Sequence, residues 1–107
     1  MNSSISILVA DDHPLLLKGL RDELLNLNFN VFEGANNGAQ ALEMIARKKP
    51  TIAILDISMP LLTGFEVIKK SKEGFSNTKF IILTSYKEKR FILKAKQLNI
   101  SGYLLKD

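Results

Sequence analysis

The sequence predicts an α/β fold, a doubly wound five-stranded parallel sheet in the order 2-1-3-4-5. Three observations predict it. Short β-rich runs alternate with segments of helical periodicity along the whole chain. The helical segments carry start signals, Pro14, Asn37 with Gln40, and Thr63 with Glu66. Polar residues follow the strand runs, Asp11-Asp12 and Asp56 first, then Thr84 and Lys106.

The elements follow in order. Residues 5–10 read as the first strand, and 14–27 as a helix with Leu16, Leu20, Leu24 and Leu27 on one face. Pro14 suits the first helical position, where its missing N–H costs nothing. Residues 30–33 form a short second strand. The second helix starts near Asn37 and stops before Pro50, and the third strand is 51–55. Thr63-Gly64-Phe65-Glu66 is a capping-box pattern opening a helix that ends near Gly74. Strand four covers 79–83. Ser85-Tyr86-Lys87-Glu88 is a further capping-box candidate, for a helix with Phe91, Ala95 and Leu98 facing inward. Asn99 can take the left-handed conformation that closes it, with Ile100 as the apolar contact. Strand five is 102–105. Right-handed crossovers then favour the flavodoxin-like order, whose crevice lies at the carboxyl ends of strands one and three.

The sequence stops at Asp107 with no helix after strand five, so the first helix is expected to cover one sheet face almost alone. The expectation is one domain over residues 1–107, truncated after strand five, or completed by a neighbouring molecule.

With 107 residues and 46% hydrophobic content, one compact domain is expected. The absence of cysteine excludes disulfides and thiolate metal sites. No apolar stretch approaches the ~20 residues that span a bilayer, and Met1-Asn2-Ser3-Ser4 lacks the basic region of a signal peptide. A soluble cytoplasmic protein is expected. The net charge of +4 gathers at Arg47-Lys48-Lys49, Lys69-Lys70-Lys72 and the stretch from Lys87 to Lys96. Two of these clusters close predicted helices, where cations complement the dipole. No aromatic pattern accompanies them, so this segment is not expected to read DNA.

Two adjacent acids and a third on a neighbouring strand form a hard, oxygen-rich site of the kind Mg²⁺ prefers. A bound cation offsets repulsion between carboxylates and a phosphate and leaves one carboxylate free as a nucleophile. A lysine adds a mobile charge for phosphate, and a threonine hydroxyl can donate to it. An acid after a strand can also merely cap the next helix. That explanation suffices for Asp11 or Asp12 alone, but not for five polar positions on one rim. His13, the only histidine, reads as part of the start of the first helix, Met44 and Met59 as packing and loop residues, and Pro60 as a turn former. No glycine set matches a nucleotide loop.

The segments Leu8-Val9-Ala10-Asp11-Asp12-His13-Pro14, Leu55-Asp56-Ile57-Ser58-Met59-Pro60, Leu83-Thr84-Ser85 and Gly102-Tyr103-Leu104-Leu105-Lys106-Asp107 resemble the receiver domain of bacterial two-component response regulators. Asp-Asp-His-Pro and the closing Gly-Tyr-Leu-Leu-Lys-Asp further resemble the subfamily whose receivers precede a LuxR-type helix-turn-helix. The resemblance implies that Asp56 accepts a phosphoryl group from a histidine kinase. It implies Mg²⁺ held by Asp12, Asp56 and the Ser58 carbonyl, with Asp11 acting mainly through water. Lys106 would pair with Asp56 and then with the phosphoryl group; Thr84 would move toward it, and Tyr103 would turn inward. Ser58 and Tyr86 would flank the site, and Tyr86 is expected to limit water access and prolong phosphorylation. Dimerisation on phosphorylation and DNA binding would belong to a longer protein, the latter through a C-terminal domain. Asp107 replaces the proline of many receivers, which bears on the peptide bond after Lys106.

Two other readings compete. A small phosphatase with an aspartyl nucleophile of the haloacid-dehalogenase kind needs D-x-D, and Asp56-Ile57-Ser58 lacks the second acid. A pseudo-receiver acting only as a binding module would not need all five polar residues. A phosphorylation-controlled switch, rather than an enzyme turning over an external substrate, is the expectation.

Overall fold

The computed structural model describes residues 5–74 and 76–106. Strands β1 (Ser6–Ala10), β2 (Asn30–Val31), β3 (Ile52–Leu55), β4 (Lys79–Thr84) and β5 (Gly102–Leu105) form one parallel sheet in the order β2-β1-β3-β4-β5. Helices α1 (Pro14–Asn26), α2 (Gly38–Lys48), α3 (Gly64–Glu73) and α4 (Lys89–Gln97) connect them. The predicted order is the observed one. Asp107 and Met1-Asn2-Ser3-Ser4 lie outside the described residues.

Local chemistry sets the helix boundaries. Pro14 occupies the first turn of α1. That helix closes on Asn28, left-handed at φ 68°, with Asn28 N–H donating to the Leu25 carbonyl and Phe29 N–H to that of Leu24. Leu27 therefore lies past the helix and is 58% exposed, rather than completing its apolar face. At α2, Gln40 N–H donates to the Asn37 side chain at 2.7 Å, while the Gln40 side chain accepts from Asn36 N–H. Lys49 is left-handed immediately before Pro50 and ends the helix there. Thr63 and Glu66 complete both halves of the capping box of α3. Gly74 ends that helix at a negative φ, so its role is not the left-handed turn that glycine often supplies.

The expected box at Ser85 does not form. Tyr86 N–H donates to the Thr84 hydroxyl at 3.2 Å, and residues 86–88 are not helical. Helix α4 begins only at Lys89, with Glu88 at its N-cap making no side-chain capping bond. Its far end matches expectation: Asn99 is left-handed, and the Asn99 and Ile100 amides close back onto Lys96 and Ala95.

The sheet divides the apolar residues by alternation. Leu8, Ala10, Ala53, Leu55, Phe80 and Ile82 point to one face and join α2, α3 and α4 in a single core cluster. Met59 belongs to that core as well as to its loop. Ile7 and Val9 point to the other face, where α1 packs beside β1 and β2, and are buried. Further across, Ile52, Ile54, Ile81 and Leu83 are only half-buried, and Leu104 is exposed. No residue of α1 is fully buried.

Candidate functional site: an acidic crevice at the strand carboxyl ends

The register that aligns Ala10 with Leu55 puts the residues following β1 and β3 side by side. Asp56 N–H donates to the Ala10 carbonyl at 3.1 Å, so the third strand hands Asp56 directly to the end of the first. Asp11 is fixed in turn by its own N–H bond to the Ala35 carbonyl. Thr84 ends β4, and Lys106 follows β5 with its N–H on the Thr84 carbonyl at 2.9 Å.

Two glycines hold the loop from Asp56 to Thr63 against this rim. A Cβ at Gly64 would lie 2.3 Å from the Asp56 carbonyl oxygen, and one at Gly38 would lie 2.0 Å from that of Leu62. Both distances exclude any larger residue without movement of the loop. Gly64 N–H bonds to Ile57 and Gly38 N–H to Pro60, and Leu61 turns the loop through a left-handed φ of 74°. Pro60 sits in this turn, as expected.

Lys106 Nζ bridges the acids, 2.9 Å from Asp11 Oδ2 and 3.1 Å from Asp56 Oδ2. Both carboxylates are buried and the lysine side chain is 14% exposed. Burial pushes the Asp11 carboxyl up. Hydrogen bonds from Lys106 and from the His13 backbone and ring, with the lysine charge, outweigh it and hold the group below its ordinary 3.8. Desolvation lowers Lys106, but its bonds to Asp11 and Asp56 dominate and raise it above 10.5. Each acid and the lysine stabilise one another's charge.

His13 belongs to the helix entry, as expected, and also meets the acids. It does stand at the N-cap of α1, yet its ring turns back onto the acids, with Nδ1 2.6 Å from Asp11 Oδ1 and 3.3 Å from Asp12 Oδ1. A carboxylate can only accept, so Nδ1 carries the proton. Its backbone N–H donates to the same Asp11 oxygen. Adjacency to two acids was the available signal. Ligand atoms of Asp11, Asp12, His13 and Asp56 lie within 4.8 Å of one another, a set able to hold a metal ion. Asp12 and His13 are the exposed members of the set, Asp11 and Asp56 the buried ones.

The remaining candidates form a chain leading from the rim to α4. Thr84 is wholly buried, and its hydroxyl accepts from Tyr86 N–H while keeping its own proton to donate. Tyr103 donates its hydroxyl to the Tyr86 carbonyl at 2.6 Å. Burial, then the charge of Glu88, raises the Tyr103 phenol above its ordinary value, which keeps it a donor. The Tyr86 ring stacks on Phe91 at 4.9 Å, and Phe91 stacks on Phe65. Ser58 is exposed, two residues beyond Asp56.

Residues 7–107 match the model of the response regulator receiver domain. The chain belongs to that family. It is 36% identical over 104 residues to the transcriptional regulatory protein YhcZ of Bacillus subtilis, covering 96% of this chain and 49% of that protein. It is 34% identical over 104 residues to the transcriptional regulatory protein NarL of Mycobacterium tuberculosis, covering 96% and 48%. The chain thus spans about half the length of these relatives. Among solved structures, a LuxR-family DNA-binding response regulator from Staphylococcus aureus superposes with a TM-score of 0.89 at 32% identity, covering 95% of this chain and 86% of that one. This receiver is therefore similar to those of NarL- and LuxR-type regulators. Among the described residues, no helix is long and apolar enough to cross a membrane.

Proposed function

We propose that Asp56 of this receiver accepts a phosphoryl group and that Lys106, Thr84 and Tyr103 convert its arrival into a change of conformation. The observation that carries this reading is the single ammonium shared by Asp11 and Asp56. Lys106 steadies Asp56 before transfer and is already within reach of an oxygen bonded to it afterwards. From a phosphohistidine donor, an Asp56 carboxylate oxygen attacks phosphorus, the N–P bond breaks, and the imidazole takes the electron pair.

The donor set fits Mg²⁺: three carboxylates converge, and hard cations favour oxygen. Asp11, Asp12, Asp56 and the Ser58 carbonyl would hold it. When bound it neutralises charge on the phosphoryl oxygens. Thr84 offers its hydroxyl proton to one of those oxygens, which draws on its contact with Tyr86 N–H. The bond from Tyr103 to the Tyr86 carbonyl then breaks or re-forms with the 84–86 backbone. New charge-assisted hydrogen bonds bias a pre-existing equilibrium.

In the longer protein, a sensor histidine kinase would supply the phosphoryl group. Dimerisation on phosphorylation and a C-terminal DNA-binding domain would carry the transcriptional output. The reaction is a single modification of the chain itself, in the cytoplasm, rather than turnover of a substrate. Incubation with acetyl phosphate and Mg²⁺ is expected to label the protein, with loss of label on adding a chelator or in Asp56→Asn. Stable labelling of Asp56→Asn would overturn the assignment.

A further inference from the structure

His13 is the one histidine of the chain, and neither the helix it opens nor the proposed phosphoryl chemistry uses its ring. It stands at the N-cap of α1 but makes no side-chain capping bond. Packing does not hold the ring either, since the side chain is 64% exposed. It nevertheless turns onto the acids, with Nδ1 2.6 Å from Asp11 Oδ1 and 3.3 Å from Asp12 Oδ1. Two ligand atoms at right angles on a cation with bonds of ~2.1 Å stand about 3 Å apart. The ring nitrogen therefore already keeps the spacing of a ligand beside those two oxygens.

A second observation points to a ligand in the same place. Asp56 is only 4% exposed, yet Lys106 engages just one of its oxygens, Oδ2. Oδ1 accepts no hydrogen bond among the described residues and, unlike the Ser71 hydroxyl, is not sealed from solvent. Atoms from Asp11, Asp12, His13 and Asp56 all lie within 4.8 Å of one another. Three carboxylates alone make a site for a hard cation. An imidazole beside them changes its chemistry, because nitrogen suits nickel and zinc better than magnesium.

We propose that His13 is a ligand in this cation site, and that its Nδ1 gives the crevice a preference for a divalent transition cation such as Ni²⁺ over Mg²⁺. The inference rests on the cation site assigned above to Asp11, Asp12 and Asp56. On binding, Nδ1 gives up its bond to Asp11 and its proton passes through solvent to Nε2, so the imidazole stays neutral. Asp11 Oδ1 keeps the His13 backbone N–H. Mg²⁺ favours oxygen and leaves the ring on Asp11. His13 thus determines specificity for the cation and takes no part in phosphoryl transfer.

The test uses the untagged receiver, with Ni²⁺ and Mg²⁺ titrated by calorimetry, first separately and then in competition. The two cations are expected to compete for one site. His13→Gln keeps a hydrogen-bond donor but removes the ring nitrogen. It should lower the ratio of Ni²⁺ to Mg²⁺ affinity at least about tenfold, the smallest loss usual for residues that support a metal. With Co²⁺ as the probe, proton NMR of the wild type should show strongly shifted imidazole resonances, which only His13 can supply. These should vanish in His13→Gln. An unchanged affinity ratio, Ni²⁺ that does not compete with Mg²⁺, or Co²⁺ spectra without shifted imidazole resonances would each overturn the proposal. Those outcomes leave the phosphoacceptor reading intact, since labelling of Asp56 with Mg²⁺ does not need the ring. If neither cation binds, the cation site itself falls, and this proposal with it.

Discussion

The two ends of the sheet handle buried polar groups in opposite ways. At the carboxyl end, Asp11, Asp56, Thr84 and Lys106 are all buried or nearly so, and each has a partner in the others or in His13 and Tyr86. At the amino end, Thr78 donates to the Pro50 carbonyl, while the buried Ser71 hydroxyl has no hydrogen-bond partner among the described residues. The first end is a closed circuit that an incoming group must break into, which suits a switch. A parallel sheet produces both, because it gathers strand termini at each edge, and side-chain chemistry decides which becomes which.

The largest difference between the ends should come from the loop that carries Asp56. Gly64→Ala drives a Cβ against the Asp56 carbonyl. It should cost about 3 kcal/mol, the upper part of the overpacking range, and reduce phosphodonor labelling; urea denaturation and labelling rates check this together. An alanine that left both unchanged would mean the loop is not wedged there.

Lys106→Ala should follow, at about 2 kcal/mol, because it leaves two buried carboxylates without their shared cation. The pH dependence follows from the shifts. Asp11 is depressed, so its contribution is complete above 3.8 and disappears as the pH falls through its lowered value. Lys106 is raised, so its contribution is complete below 10.5 and disappears as the pH climbs through its higher value. Neither changes stability between 3.8 and 10.5. Melting curves of Lys106→Ala, in contrast, should improve on mild acidification, as one of the facing acids takes a proton. An acid limb in that variant identical to the wild type would break the link.

At the amino end the contrast is between neighbours. Thr78→Val should cost about 1–2 kcal/mol by leaving the Pro50 carbonyl unsatisfied, where Ser71→Ala should cost nothing. The smallest effect is kinetic. Tyr86→Ala removes a ring stacked on Phe91 beside the rim, and should shorten the life of the phosphorylated state a few-fold at most. An unchanged dephosphorylation rate would exclude Tyr86 as a barrier to water.

Much of this was legible in the chain itself. The alternation of strands and helices, the capping pair Thr63–Glu66 and the left-handed Asn99 depend on residues within a few positions of each other. The convergence of Asp11, Asp12, Asp56, Thr84 and Lys106 follows from strand order alone. What was hidden depends on distant or competing contacts. The start of α4 lies at Lys89, with Glu88 rather than Ser85 at its N-cap, and residues 86–88 lead into it without helical structure. The wedge of Gly38 and Gly64 around the Asp56 loop needs backbone from separate elements to meet. Rotation of His13 toward the acids, and the hydrogen bond of Thr78 to Pro50, are facts of side-chain packing that no spacing encodes.

The central claim is that the group breaking into the carboxyl-end circuit is a phosphoryl group on Asp56. After incubation with acetyl phosphate and Mg²⁺, borodeuteride reduction converts an aspartyl phosphate to deuterated homoserine, which peptide mass spectrometry can place on a single residue. The expected result is one labelled position, Asp56, lost when Mg²⁺ is removed. Homoserine at Asp11 or Asp12, or none anywhere, would contradict it.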